Sequence, residues 1–186
     1  MLKSKSACFL GLIAILVTAC STTSKRKEWE RKKVEWAAEV ASYPASTYTQ
    51  AGLTKRYSGA TFLDYSVQHG TQVEYLSPNG VAYLWYPGNA KIVSGQWKVE
   101  GPSSGSKYAR LCWKYGANTY NPVTQTRGGS FNCVPANRHI LAEEEYTRGD
   151  PLNLSSGRVP FVLKREREYS LIQIGKKLGL PIKLLH

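Results

Sequence analysis

Residues 72–86 read QVEYLSPNGVAYLWY. Gln72 to Leu76 and Val81 to Tyr86 are rich in β-branched and aromatic side chains, which suit a pleated, half-buried surface. Between them Ser77-Pro78-Asn79-Gly80 carries strong turn chemistry: proline presets its own φ, while asparagine and glycine accept conformations other residues avoid. Two such runs around such a turn predict a β-hairpin, and Pro87-Gly88-Asn89 ends its second strand.

The same signals repeat downstream. From Ile92 to Glu100, Val93, Gly95, Trp97 and Val99 alternate with Ser94, Gln96, Lys98 and Glu100, so one face packs and the other is polar. A turn-rich loop (GPSSG, 101–105) follows. From Tyr108 to Tyr115, Leu111, Trp113 and Tyr115 share one face, and Arg110, Cys112 and Lys114 the other. Residues 116–129 read as a long polar loop, and Ser130 to Val134 as a short strand. Past Asn137 the pattern weakens. Arg138 to Tyr146 reads as a helical turn or a strand, and Val159 to Arg165 as a last strand. Tyr169 to Leu178 has helical apolar spacing at Leu171, Ile174 and Leu178, and Pro181 blocks its continuation.

Upstream, Lys25 to Ala41 (KRKEWERKKVEWAAEVA) contains no Gly or Pro and predicts a helix. Trp29, Trp36 and Val40 fall on one face, and Glu28 with Lys32 forms a favourable i, i+4 pair. Six of the nine residues 25–33 are basic and two acidic. Such a turn favours anionic headgroups if it lies near a membrane, and otherwise is a solvated helix face. Pro44 breaks the pattern, a short helix around Leu53 to Tyr57 is one reading of the next segment, and Gly59-Ala60-Thr61 leads into the β region.

Lys3 and Lys5 precede a 13-residue uncharged run, Ala7 to Ala19, which ends at Cys20. Such a run is too short to span a bilayer, whose core needs about 20 apolar residues, so it reads as a secretory signal. Val17-Thr18-Ala19-Cys20 resembles the bacterial lipobox. That resemblance implies cleavage before Cys20 and acylation of its sulfur and new amino group. Two or three acyl chains together anchor firmly where one does not. Ser21 resembles an outer-membrane sorting signal. The expected localisation is the cell envelope, lipid-anchored, facing the periplasm from the outer membrane.

The chain has 186 residues, 25 Lys and Arg against 13 Asp and Glu, and formal net charge +12. Removing a leader with Lys3 and Lys5 leaves +10. The 42% hydrophobic content is that of a folded domain and excludes collagen-like, multi-span and wholly disordered chains. Basic charge alone would suit nucleic acid, but export removes that partner. Envelope protein, peptidoglycan and anionic lipid remain.

With Cys8 in the leader and Cys20 as the lipid site, Cys112 and Cys133 are expected to pair in the oxidising periplasm. Closing a loop of about 22 residues contributes roughly 3 kcal/mol in the chain-entropy model. Cys112 shares its face with Arg110 and Lys114, so the bond is expected to clasp the outer side of the sheet.

Tyr57-Ser58-Gly59-Ala60-Thr61, the Pro78-Asn79-Gly80 hairpin, the Gly95-Gln96-Trp97 strand, Leu111-Cys112 and Phe131-Asn132-Cys133 together resemble an uncharacterised alphaproteobacterial envelope family, the domain of unknown function numbered nine hundred and ninety-five. The resemblance covers residues 57–134 and implies an exported β domain with paired cysteines. It brings no activity.

No catalytic set is visible. There is no G-x-S-x-G elbow, H-E-x-x-H or phosphate-binding glycine loop. His69 and His186 lack ligand-spaced partners. His139 with Glu143 makes at most half a metal site, and the pair reads as surface residues. Glu143-Glu144-Glu145 reads as a solvated run. No cofactor or metal is expected. Tyr86, with Arg110 and Lys114, is the candidate binding surface, because exposed aromatics beside cations suit a glycan or protein partner.

These readings predict a mainly β fold, an antiparallel meander or partly closed barrel of about five to seven strands. The parts are a leader (1–19), a tether (20–24), a basic amphipathic helix (25–42), a disulfide-bonded β domain (57–165) and a basic apolar C-terminal segment (166–186). The expected function is a non-enzymatic, lipid-anchored binding or scaffolding module. A small carrier or sensor cupping an apolar ligand is the alternative, and an envelope hydrolase the weakest.

Overall fold

The computed structural model describes residues 28 and 31–185. The expected leader, Cys20 and the tether lie outside the described residues. Helix α1 (31–42) carries the i, i+4 pair Arg31–Glu35, and its Lys32 meets Glu28 at 3.2 Å. Residues 43–186 form a separate compact unit. No helix among the described residues is long and apolar enough to cross a membrane.

That unit is a seven-stranded antiparallel sheet curled into a half-barrel. Its order is β8 (Asn132–Pro135), β5 (Arg110–Tyr115), β4 (Val93–Glu100), β3 (Val81–Trp85), β2 (Gly70–Leu76), β1 (Ala60–Ser66) and β9 (Glu143–Arg148). Five strands run as the expected meander. The predicted hairpin is β2–β3, with Leu76 opposite Ala82. Its turn is tied to the next strand: the Trp97 indole N–H donates to the Ser77 carbonyl (2.8 Å) and the Trp97 backbone N–H to the Gly80 carbonyl (2.9 Å). The Pro-Asn-Gly and G-x-W motifs are therefore one structural unit.

Several elements depart from the sequence reading. β1 runs through ATFLDYS, beyond the Gly59-Ala60-Thr61 approach that the sequence marks. The 138–146 segment is both alternatives in turn, helix α3 (Ala136–Ala142) running directly into β9. Within the polar loop, β6 (Tyr120–Asn121) and β7 (Thr126–Arg127) form a small ribbon. Residues 159–165 are not a strand; they cross the sheet as irregular chain, with Leu163 buried and the Phe161 carbonyl accepting from the Trp85 indole at 3.0 Å.

The sheet is covered on both faces. On the outer face Leu63, Val73 and Trp85 pack with Leu152, Leu154, Leu163, Tyr169, Leu171 and Ile174. Each such side chain contributes about 1.5–3 kcal/mol by leaving water. The C-terminal segment is thus built into the core, because its apolar spacing supplies the cover that β1–β3 need. Its helix α4 (Leu171–Leu178) has a capping box between Ser170 and Gln173 and ends at Gly179 with φ 69°. On the inner face, helix α2 (Gln50–Tyr57) packs against β1 and β4, and α3 against β5 and β9. Small residues Ala60 and Ala82 lie fully buried there, beside Leu53, Tyr57 and Leu111. The helices close one end of the half-barrel and leave the rest of the inner face open.

Candidate functional site

The open part of the inner face is a cavity of about 830 Å³. The sheet register assembles its floor. Phe62 pairs with Glu74 and Asp64 with Gln72 across β1–β2, and Leu84 pairs with Glu74 across β2–β3. All five side chains line the cavity, with Trp113, Tyr115 and His139. The β6–β7 ribbon contributes Tyr120, Asn121 and Arg127, and the exposed Arg165 and the half-buried Tyr86 complete the lining from beyond the strand ends.

Tyr115 crosses the floor. It faces Gly95 on β4, which faces Ala82 on β3. With no side chain at Gly95 and a methyl at Ala82, the phenol lies across both strands, and its hydroxyl donates to Glu74 Oε1 on β2 at 2.5 Å. Glu74 is 6% exposed. Burial pushes its carboxyl up to about 8, the Tyr115 hydroxyl pulls partly the other way, and the nearby Asp64 charge adds to the rise. Asp64 accepts from the Gln72 amide at 3.1 Å. Burial raises it to about 7 against that bond, helped by the charges of Glu144 and Glu143. Two carboxyls therefore sit on the floor near their neutral state.

His139 closes the inner end. Its ring is held among Tyr57, Phe62 and Trp113, with centroids 5.0, 5.0 and 5.1 Å away. Burial, and then the Arg56 charge, lower its pKa to about 3, so it is neutral at physiological pH. Its Nε2 and the Trp113 Nε1 are buried without a hydrogen-bond partner.

The expected surface pair of His139 and Glu143 is corrected: both are buried, and Glu143 meets Arg56 at 2.5 Å with side chains 4% and 17% exposed. Nor is the Glu143-Glu144-Glu145 run simply solvated. Burial raises the Glu143 carboxyl more than Arg56 lowers it, and Glu145 accepts from the Leu171 backbone N–H. A register shift between residues 143 and 145 sends Glu143 to Arg56 on the inner face and Glu145 to the start of α4 on the outer face, while Glu144 stays exposed.

Tyr86, Arg110 and Lys114 are not brought together. Tyr86 lines the cavity and its hydroxyl bonds His69 Nδ1 at 2.9 Å. Arg110 and Lys114 lie on the opposite face, where Arg110 pairs with Glu100 at 2.6 Å and Lys114 lies over the Phe131 ring. The parity of β5 separates them, since Lys114 sits between the inward Trp113 and Tyr115.

Cys112 and Cys133 face each other across β5–β8 and are bonded, with S–S 2.05 Å. They lie on the outer face with Lys98, and Cys112 is fully buried. Glu100 approaches them in the one metal-like grouping among the described residues, but bonded sulfurs are not thiolate ligands. Asp64, Glu74 and Tyr115 were missed as site residues. The available signal was a carboxylate on the same strand face as buried Leu76.

No family model, no curated protein and no solved structure matches this chain.

Proposed function

We propose that this chain is a non-enzymatic ligand-binding module of the cell envelope, tethered through a lipid on Cys20, and that its inner-face cavity holds a small organic molecule. The cavity carries the reading. Its volume lies within the range of small-molecule sites, and it combines aromatic walls with a few converging polar groups. Between carrier and scaffold, the cavity favours the carrier or sensor, because the aromatic and basic residues expected to form a docking patch stand on opposite faces. A membrane tether raises the local concentration of ligand and partner alike.

Native mass spectrometry of the chain purified from cells tests this, with Leu84→Trp as the variant that fills the cavity. The wild type is expected to carry a small non-covalent adduct that Leu84→Trp lacks. Bare spectra for both would overturn the reading.

One observation favours a second reading. Two carboxyls with raised pKa values in one cleft are the equipment of acid–base catalysis. That reading requires turnover of an envelope glycan or ester, abolished by Glu74→Gln, where the binding reading requires none.

A further inference from the structure

Among the described residues the two floor carboxyls have no cationic partner. Among the described residues Asp64 is bonded by the Gln72 amide and Glu74 by the Tyr115 hydroxyl. The charges that act on them are other carboxylates: Glu144 and Glu143 on Asp64, and Asp64 on Glu74. The contrast with Glu143 is direct, because that buried carboxylate has its own arginine, Arg56. In a chain of net charge +12, an acidic floor with no basic side chain bonded to it among the described residues is a local inversion of sign. The basic residues of the cavity, Arg127 and Arg165, are exposed.

A second feature points the same way. His139 is more than nine-tenths buried, lines the cavity and has an unpartnered Nε2. In the Nδ1–H tautomer this nitrogen is a free acceptor. The rings of Phe62, Trp113 and Tyr115 line the same space. Aromatic faces attract cations, most strongly away from water.

Resting on the ligand-binding reading above, we propose that the cavity takes a positively charged amine, its ammonium head seated between Asp64 and Glu74 and against the Trp113 and Tyr115 rings. The head supplies what the floor lacks: a positive charge for two carboxyls and N–H donors for unpaired acceptors. Its arrival favours ionised carboxyls, so binding releases protons. Of the groups facing the site, Tyr115 stays protonated, His139 neutral and Arg56 charged in the working pH range, and the guanidinium groups of Arg127 and Arg165 stand at its exposed rim. Asp64 and Glu74, with the weaker influence of Glu143 and Glu144, set the pH response.

Titrating the purified chain by calorimetry with benzylammonium, benzyl alcohol and benzoate, which share one ring and differ in charge, tests the proposal. At pH 8, benzylammonium is expected to bind at least tenfold more tightly than either. The advantage should shrink at pH 5.5 and vanish in Glu74→Gln and Asp64→Asn. These variants keep side-chain shape, and should one fail to fold, the pH series on wild type still decides. Equal or tighter binding of benzyl alcohol or benzoate overturns the amine and leaves the cavity reading intact. No binding of any probe to a chain that carries a native adduct does the same. No binding and no adduct removes both.

Discussion

Gly95 stands directly across the β4–β5 ladder from Tyr115, and a Cβ there would lie 2.6 Å from Tyr115 Cδ1 and 2.8 Å from the Lys114 carbonyl oxygen. Glycine in a strand normally weakens it, and often marks a close approach. Here the approach is the phenol that reaches Glu74. Gly95→Ala is expected to lift Tyr115 off the sheet and cost about 1–3 kcal/mol, as overpacking does. Because the Tyr115 hydrogen bond lowers the Glu74 pKa, Gly95→Ala and Tyr115→Phe should both move that carboxyl above about 8. Carboxyl-carbon NMR titration measures it; an unchanged Glu74 titration in both variants refutes the link.

Stability should fall as pH rises from acid to neutral. Glu74 rises from 4.5 to about 8 on folding and Asp64 from 3.8 to about 7. Each holds a proton in the fold that the unfolded chain has lost. Their contributions are fully present below the unfolded values and disappear as pH climbs through the folded ones. His139 acts in the other direction: lowered from 6.5 to about 3, it contributes above 6.5 and is lost as pH drops toward 3. From pH 4.5 to 6.5 two carboxyls oppose one imidazole, and above 6.5 the carboxyls act alone. Thermal melts should show a lower Tm at pH 8.5 than at pH 5, and Glu74→Gln should melt above wild type at pH 8.5. A Tm that increases steadily up to pH 8.5 contradicts this assignment.

The hairpin was legible because its signals are local. Turn residues, β-branched runs and alternation sit within fifteen residues, and the pairing of β2 with β3 needs nothing distant. The inner-face cavity was not. Its hydrogen bond from Tyr115 to Glu74 joins residues 41 apart, and His139 arrives from a helix. Alternation also misleads in a sheet covered on both faces. Gln72 and Glu74 are polar, yet their face of β2, shared with buried Leu76, lines the inner-face cavity. The β1 strand was obscured for the same reason, since TFLDYS places an aspartate inward. The C-terminal segment looked like a tail because its partners, Leu63, Val73 and Trp85, lie far upstream.

The Arg56–Glu143 pair ties α2 to the start of β9, and the Arg56 guanidinium also lies 4.5 Å from the Tyr146 ring centroid. Removing one member of a buried pair strands the other charge. Arg56→Met is expected to cost about 3–5 kcal/mol in urea unfolding, while Arg56→Met with Glu143→Leu recovers most of the loss. Equal losses in the single and double variants would show that the ion pair is not the source.

The Cys112–Cys133 bond joins β5 to the edge strand β8, which also pairs through Leu111–Val134 and Trp113–Asn132. Among the described residues β8 has no neighbour on its other side in the sheet. Replacing both cysteines by alanine is expected to cost about 2–5 kcal/mol, with fastest hydrogen exchange in residues 132–135. Uniform loss of protection across the sheet would mean the bond supports the whole fold and not its edge.

The lipid proposed for Cys20 rests on the lipobox-like sequence alone, and its test is chemical. Cleavage before Cys20 with acylation adds two or three fatty chains at about 0.8 kcal/mol per buried methylene. Cleavage there would leave 167 residues, and such chains would hold them on a membrane. Intact mass of the purified protein should show the loss of residues 1–19 and the gain of acyl mass. Cys20→Ala should leave the membrane fraction or retain its leader. A wild-type chain with the leader in place and no added acyl mass would remove the anchor, and with it the oxidising compartment that Cys112 and Cys133 were expected to share.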